Sequence, residues 1–319
     1  MKKLILLIAL AGFVASCADD NPPAKMEEND LVTPPLYVSV STNSYQSPLT
    51  GVLHVYPCQA NGSIYEGNYI NGQLTPFPAL YTIKDGAIFQ EGTNRVLSLP
   101  VGNYNLIYWG TPKYAEPIYT HPAIKEPGLS IGKNMFTQEF NMFKISGDTT
   151  YYPVYDMVFA ASPTKIGSDK LTASLHRVVA GLKVIIKDKN NGILSSSIDS
   201  MQVHLTNIAT GIYFLTGKAD TNIGTVSFPL VRSTDGTEMT NSTVMLFPSI
   251  GKSVFKLFII LKNGTQKVFQ QTLSTPFNAN SKLTLTITLG DIFSDETSGD
   301  FNIDNWHEES ENIDVPVLD

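Results

Sequence analysis

Cysteine is almost absent from this chain of 319 residues, which has only Cys17 and Cys58. Because Cys17 reads as a modified residue (below), Cys58 is left without a partner and no intrachain disulfide is expected. Cys58 follows the apolar run Val52-Leu-His-Val-Tyr56 and reads as a small buried hydrophobe rather than a reactive thiol. Arginine is nearly as scarce, with Arg95, Arg177 and Arg232 alone, and between Cys17 and Lys84 the sole basic residue is Lys25. The formal net charge is −7; taking Lys2 and Lys3 away from the 22 basic residues leaves 20 against 29 acids, or −9. Nucleic acid and anionic lipid surfaces are therefore not expected as partners. Long apolar runs are missing too. Leu4 to Val14 holds roughly eleven residues, against the ~20 that a membrane-spanning helix needs. No amphipathic stretch longer than about two helical turns stands out. His54, His121, His176, His204 and His307 are scattered, and the chain has no H-E-x-x-H, no paired-cysteine spacing, no Walker loop, no G-x-G-x-x-G and no G-x-S-x-G. No metal, cofactor or catalytic centre is expected.

What is present begins at the N-terminus. Lys2 and Lys3 form a basic segment, Leu4 to Val14 an apolar one, and Val14-Ala15-Ser16-Cys17 a small-residue cleavage site ending in cysteine. This pattern reads as a lipoprotein export signal over residues 1–16, with Cys17 as the lipid attachment site. Each buried methylene contributes about 0.8 kcal/mol and two acyl chains suffice for stable anchoring, so an acylated Cys17 would hold the chain at a membrane. Ala18-Asp19-Asp20 resembles the surface-export tag of lipoproteins from the Bacteroidales, which implies an outward-facing place on the outer membrane. Residues 17–35 are polar and proline-rich and read as a flexible tether.

From Leu36 the pattern is one of short strands between turns, and the expected fold class is all-β, two tandem sandwich domains at residues 36–167 and 168–290. Leu36 to Val40, Gly51 to Tyr56 and Arg95 to Leu99 read as strands, with turns at Asn61-Gly62, Asn71-Gly72 and Asp85-Gly86. After Pro100-Val-Gly102, the residues Tyr104, Leu106 and Tyr108 alternate with Asn103, Asn105 and Ile107 across a pleat. Residues 111–153 have no clear period and read as long connections with one short element around Met135 to Ile145. Val154 to Ala161 follows, with a turn expected at Ser162-Pro163. Leu171 to Lys187 reads as one long strand with Val178, Ala180, Leu182, Val184 and Ile186 on one face and Arg177, Lys183 and Lys187 on the other. Val254 to Leu261, a type I′ turn at Asn263-Gly264, Gln266 to Leu273 and the alternating Leu283 to Leu289 complete the pattern. Asp188-Lys-Asn-Asn-Gly192 spaces oxygens like part of a calcium loop but lacks the closing glutamate, and reads better as a turn.

The end differs in kind. Residues 291–319 hold ten acids and no Lys or Arg, with Phe301, Ile303 and Trp306 interleaved and then Ile313, Val315, Val317 and Leu318. Two readings stay open: a solvated acidic tail, or a detachable strand whose apolar residues fill another subunit's groove. Pro316 and the charge disfavour a long central strand. Asp148-Thr-Thr and Asp199-Ser-Met resemble a short bacterial O-glycosylation signal.

The export signal, Leu99-Pro-Val-Gly-Asn-Tyr104 through Trp109-Gly110, Tyr155-Asp156-Met157, Leu175-His-Arg177-Val-Val-Ala180 and Met245-Leu-Phe-Pro248, in this order, together resemble the fimbrial anchor-subunit lipoproteins of the Bacteroidales fimbrillin superfamily. The resemblance runs over most of residues 36–290. It implies transthyretin-like sandwiches, a fimbrial stalk subunit as partner and strand exchange in a type V pilus, with no catalytic residues to carry over. Stalk subunits of that superfamily mature by cleavage after a basic residue, usually Arg, which removes the first strand. Here Arg95 falls inside the first domain, so Leu36 to Val40 is expected to stay in place and Phe301 to Leu318 to be the candidate donor segment. The rival readings are a surface glycan-binding lipoprotein and a fimbrial tip adhesin. The former needs exposed aromatic platforms, and Trp109 falls within the resemblance instead.

Overall fold

The computed structural model describes residues 30–41, 46–113, 119–145, 147, 149–167, 170–188 and 190–289 in full, and 298–301 and 308–310 in backbone. Among these residues every regular element is a strand, apart from one 3₁₀ residue at Asp30. The all-β expectation holds.

The first large sheet has eight strands and closes on itself. Its order is Leu171–Arg177, Val158–Ile166, Gly102–Pro112, Gly51–Gln59, Ala79–Lys84, Ala87–Ile88, Leu36–Ser41 and Gln46–Pro48. The ring is shut by parallel pairing of Leu36–Ser41 with Leu171–Arg177. Tight turns at Asn71-Gly72 and Asp85-Gly86 have all four residues at positive φ, the geometry that the right-handed twist of a hairpin favours. Inside the ring lie Val38, Leu53, Val55, Tyr81, Ile83, Leu106, Tyr108, Val158 and Leu175.

The second large sheet has ten strands. Ile198–Ala209 sits between Val254–Leu261 and Ile223–Arg232, and Glu238–Thr240 carries the sheet round to Ala180–Asp188, which pairs in parallel with Lys282–Leu289. Alternation drives it. Phe255, Leu257, Ile259 and Leu261 are buried, as are Leu283, Leu285, Ile287 and Leu289. A three-stranded sheet of Ile124–Lys125, Glu139–Met142 and Gly211–Tyr213 contributes Phe140, Met142 and Ile212 to the same core.

Several expectations need correction. Leu171 to Lys187 is two strands, Leu171–Arg177 and Ala180–Asp188, in different sheets. The buried positions change parity between them, from Leu171, Ala173, Leu175 and Arg177 to Ala180, Leu182, Val184 and Ile186, with Val178 and Val179 both buried at the crossing. One chain therefore serves two cores, each on opposite pleat positions. No turn occurs at Ser162-Pro163, because the strand runs to Ile166. Beyond Phe159 its second edge has no partner, so Pro163 removes no ladder bond. Arg95 to Leu99 is not a strand: Arg95 forms a lone bridge with Leu80, and Leu99–Pro100 pairs with Leu31–Val32. Asn263 lacks positive φ, so the hairpin there is not type I′. Lys262 to Gly264 form a three-residue loop in which only Gly264, at φ 84°, is left-handed. Val158–Ile166 and Leu171–Arg177 are neighbouring strands of the closed sheet.

Candidate functional site

The first expectation with functional weight is that Leu36 to Val40 stays paired. Leu36–Ser41 is a period-2 strand, with Leu36, Val38 and Val40 buried among the ring's apolar side chains. Its backbone pairs with Leu171 to His176 in a register of six residues, and its other edge meets Gln46–Pro48 and Ala87. On the outer face Ser41 Oγ lies 2.6 Å from Ser174 Oγ, and Gln46 Nε2 donates to Ser39 Oγ at 2.6 Å and Ser174 Oγ at 2.9 Å. The Lys170 ammonium sits 4.7 Å from the Tyr37 ring centroid. Burial of the three apolar side chains contributes on the order of 5 kcal/mol, an upper estimate. The strand is an integral stave of the ring rather than a loosely apposed edge.

The short sequence motifs spread over residues 99–248 converge in space. Tyr155-Asp156-Met157 and Arg177 meet in a buried bidentate ion pair, with Arg177 Nε donating to Asp156 Oδ1 at 2.7 Å and Nη2 to Oδ2 at 2.8 Å. Asp156 is 1% exposed and Arg177 7%. Val178 N donates to Met157 O and Val154 N to Met245 O, both within 3.0 Å. Trp109 packs at 4.7 Å from Phe140 and 4.8 Å from Phe159, and its indole N–H donates to Phe214 O at 3.0 Å. Strands Gly51–Gln59 and Gly102–Pro112 thus bury both faces: Leu53, Leu106 and Tyr108 in the ring, and Tyr56, Ile107 and Trp109 against the rest of the chain. Gly110 allows this closeness, since a Cβ there would stand 2.8 Å from Val158 Cγ2. Trp109 offers no exposed platform.

Of the candidate donor residues, Phe301 is described in backbone and sits opposite Leu285. Ser298–Phe301 runs antiparallel along Leu285 to Thr288, and Glu308–Ser310 runs parallel along Lys282 to Thr284. Parts of the acidic tail therefore add to the edge of the chain's own second sheet. Sequence reasoning missed this placement because Ser-Gly-Asp-Phe has little strand propensity; the available signal was the strongly alternating Leu283 to Leu289, which leaves an edge to be covered. Ile303, Trp306, Ile313, Val315, Val317, Leu318 and the lipid site Cys17 lie outside the described residues.

Ionisable groups show burial rather than activation. Burial, helped by Glu66, pushes the Cys58 thiol up to about 12. Burial lowers His176, and burial with the nearby Arg95 lowers His54. Among the described residues no three His, Cys, Asp or Glu side chains gather into a metal-holding group, and no helix is long and apolar enough to cross a membrane.

Three solved structures show similar folds at low identity. A candidate adhesin from Bacteroides ovatus superposes with TM-score 0.53 at 9% identity, covering 90% of this chain and 96% of the other. A candidate cell adhesion protein from the same species gives 0.48 at 13%, covering 90% and 97%. The fimbrial anchor protein Mfa2 from Porphyromonas gingivalis gives 0.45 at 10%, covering 89% and 100%. A comparison with curated protein sequences finds no match. The first of these shares the all-β architecture of this chain. The chain belongs to the fimbrillin-A associated anchor protein family, Mfa1 and Mfa2, whose model matches residues 29–312. Family membership gives it a fimbrial, adhesion-related role and a cell-surface or envelope location, as a member of a family of structural proteins.

Proposed function

We propose that the chain is an outer-membrane lipoprotein, acylated at Cys17, that anchors or nucleates a fimbria by strand exchange with a stalk subunit. The observation that carries this reading is the integration of Leu36–Ser41 into the closed sheet, where it fills the position an incoming strand would need. The lipid and Leu36–Ser41 then remain on one polypeptide. Arg95 supports the same reading: its backbone bonds to Leu80 in both directions and its Nε donates to Pro78 O at 2.6 Å, so cleavage there would cut through structure. A subunit with a filled groove donates but does not accept, which suits the base of a filament. Donation through Phe301 to Leu318 requires the tail to leave the edge of Lys282–Leu289, with backbone bonds and apolar side chains re-formed on the partner.

The test is intact mass and N-terminal status of protein extracted from outer membranes. A triacylated Cys17 with residues 18–319 intact is expected. A soluble product beginning between residues 25 and 95 refutes the retained anchor and reassigns the chain to a polymerising stalk or tip subunit. Truncation after Gly290 should leave a membrane-bound protein that no longer retains fimbriae, and retention by that truncation rules out donation through the tail.

A further inference from the structure

A cleft of about 360 Å³ opens where Leu99–Pro100 and the start of Gly102–Pro112 meet the hairpin Asn68–Ile70/Gln73–Thr75 and the turn at Ile131-Gly132. Its walls include Gln59, Glu66, Tyr69, Leu74, Tyr104 and Ile131. The size lies at the lower end of ligand pockets, which run from about 300 to 1,000 Å³.

The cleft is preformed. Fully buried Asn68 donates to Val96 O at 3.0 Å and accepts from Ser98 N at 2.8 Å, while Thr75 Oγ1 donates to Asn68 O at 3.0 Å. Gly132 N donates to Tyr65 O at 2.8 Å and Tyr65 N to Lys133 O at 2.9 Å, which fixes the opposite wall. Gly67 sits at φ +80° with its Cβ position 2.5 Å from Thr75 O, so the chain closes tightly at this point and no side chain intrudes. A ligand entering here meets groups already held in place, so little ordering cost accompanies binding.

The chemistry is mixed. Glu66, whose carboxyl burial pushes upward, forms no ion pair among the described residues. Gln59 brings an amide that both donates and accepts, the Glu66 carboxyl brings oxygens that accept, and the Tyr104 hydroxyl donates to Pro100 O at 3.1 Å, keeping its oxygen available as an acceptor. Leu74, Ile131 and the Tyr69 ring supply apolar surface beside them. An ammonium group, which only donates, leaves the amide N–H groups of Gln59 unmatched, and an anion is repelled by Glu66. Vicinal hydroxyls on a ring with C–H faces satisfy both kinds of wall.

We infer that this cleft binds a neutral saccharide of one or two rings, with Glu66 and Gln59 holding its hydroxyls and Tyr69, Leu74 and Ile131 covering its C–H face. This site is independent of lipid attachment and of strand exchange, so its failure leaves the anchor reading untouched. Full-length protein in detergent, titrated calorimetrically with methyl galactoside, methyl mannoside, N-acetylglucosamine and lactose, should saturate with at least one at a dissociation constant on the order of 1 mM. Glu66→Gln and Tyr69→Ala should each weaken that binding at least tenfold at an unchanged melting temperature, while Tyr213→Ala, which does not line the cleft, leaves it intact. The inference is overturned if no neutral sugar saturates, if the Glu66 and Tyr69 variants bind as well as the parent, or if only Nα-acetyl-lysine amide binds.

Discussion

Replacing Asp156 by alanine should be among the most damaging single changes outside the apolar core. The carboxylate is 1% exposed and takes two hydrogen bonds, at 2.7 and 2.8 Å, from a guanidinium that is itself 7% exposed. Neither partner can exchange the other for bulk water. Removing one member of such a buried pair costs about 3–5 kcal/mol, whereas replacing both by apolar residues of similar volume is often neutral. Asp156→Ala is therefore expected to cost about 4 kcal/mol, and Asp156→Leu with Arg177→Met to recover most of it. At roughly 2–4 °C per kcal/mol for a domain of this class, the single variant melts on the order of 10 °C lower. Urea unfolding of the full-length protein in detergent, followed by tryptophan fluorescence and far-UV dichroism, reads the two free-energy changes, and thermal melting reads the shift in temperature. A single variant within 1 kcal/mol of the parent, or a double variant no more stable than Asp156→Ala, refutes the reasoning.

Stability should fall as pH drops below 7. His54 and His176 have folded-state pKa values below the ordinary 6.5, so the unfolded chain binds more protons and stability present above about 6.5 is lost as pH falls through the folded values. Glu66 and Glu139 are raised, by burial first and for Glu139 also by Asp220, so their cost is felt above about 4.5 and relieved below it, which opposes the histidines only at the acid end. Melting curves between pH 7.5 and 5.5 should show the decline, and His54→Gln with His176→Asn should flatten it; an unchanged slope in that variant discards the assignment. Cys58, fully buried with its thiol pushed up to about 12, should not react with a thiol reagent at pH 8 until urea unfolds the protein, and rapid labelling of the native state contradicts its placement.

By itself the sequence determined the class of the fold and most of its strands. Alternation in Leu36–Ser41, Val254–Leu261 and Lys282–Leu289 is a local property, because successive side chains of a strand point to opposite faces whatever the sheet. The turns at Asn71-Gly72 and Asp85-Gly86 were legible for the same reason, since positive φ is a demand on the residue itself. The family was legible too, through motifs whose order is a property of the chain. What the motifs are for was not. That Asp156 faces Arg177, that Trp109 lies between Phe140 and Phe159, and that Leu171–Arg177 and Ala180–Asp188 serve different sheets all depend on which strands become neighbours. The same holds for the ring closed by Leu36–Ser41 and for the tail segments along Lys282–Leu289. A strand's side-chain pattern sets which face is apolar, while its edges present nearly the same N–H and C=O groups whatever the sequence, so partners are chosen only when the whole apolar surface is packed at once.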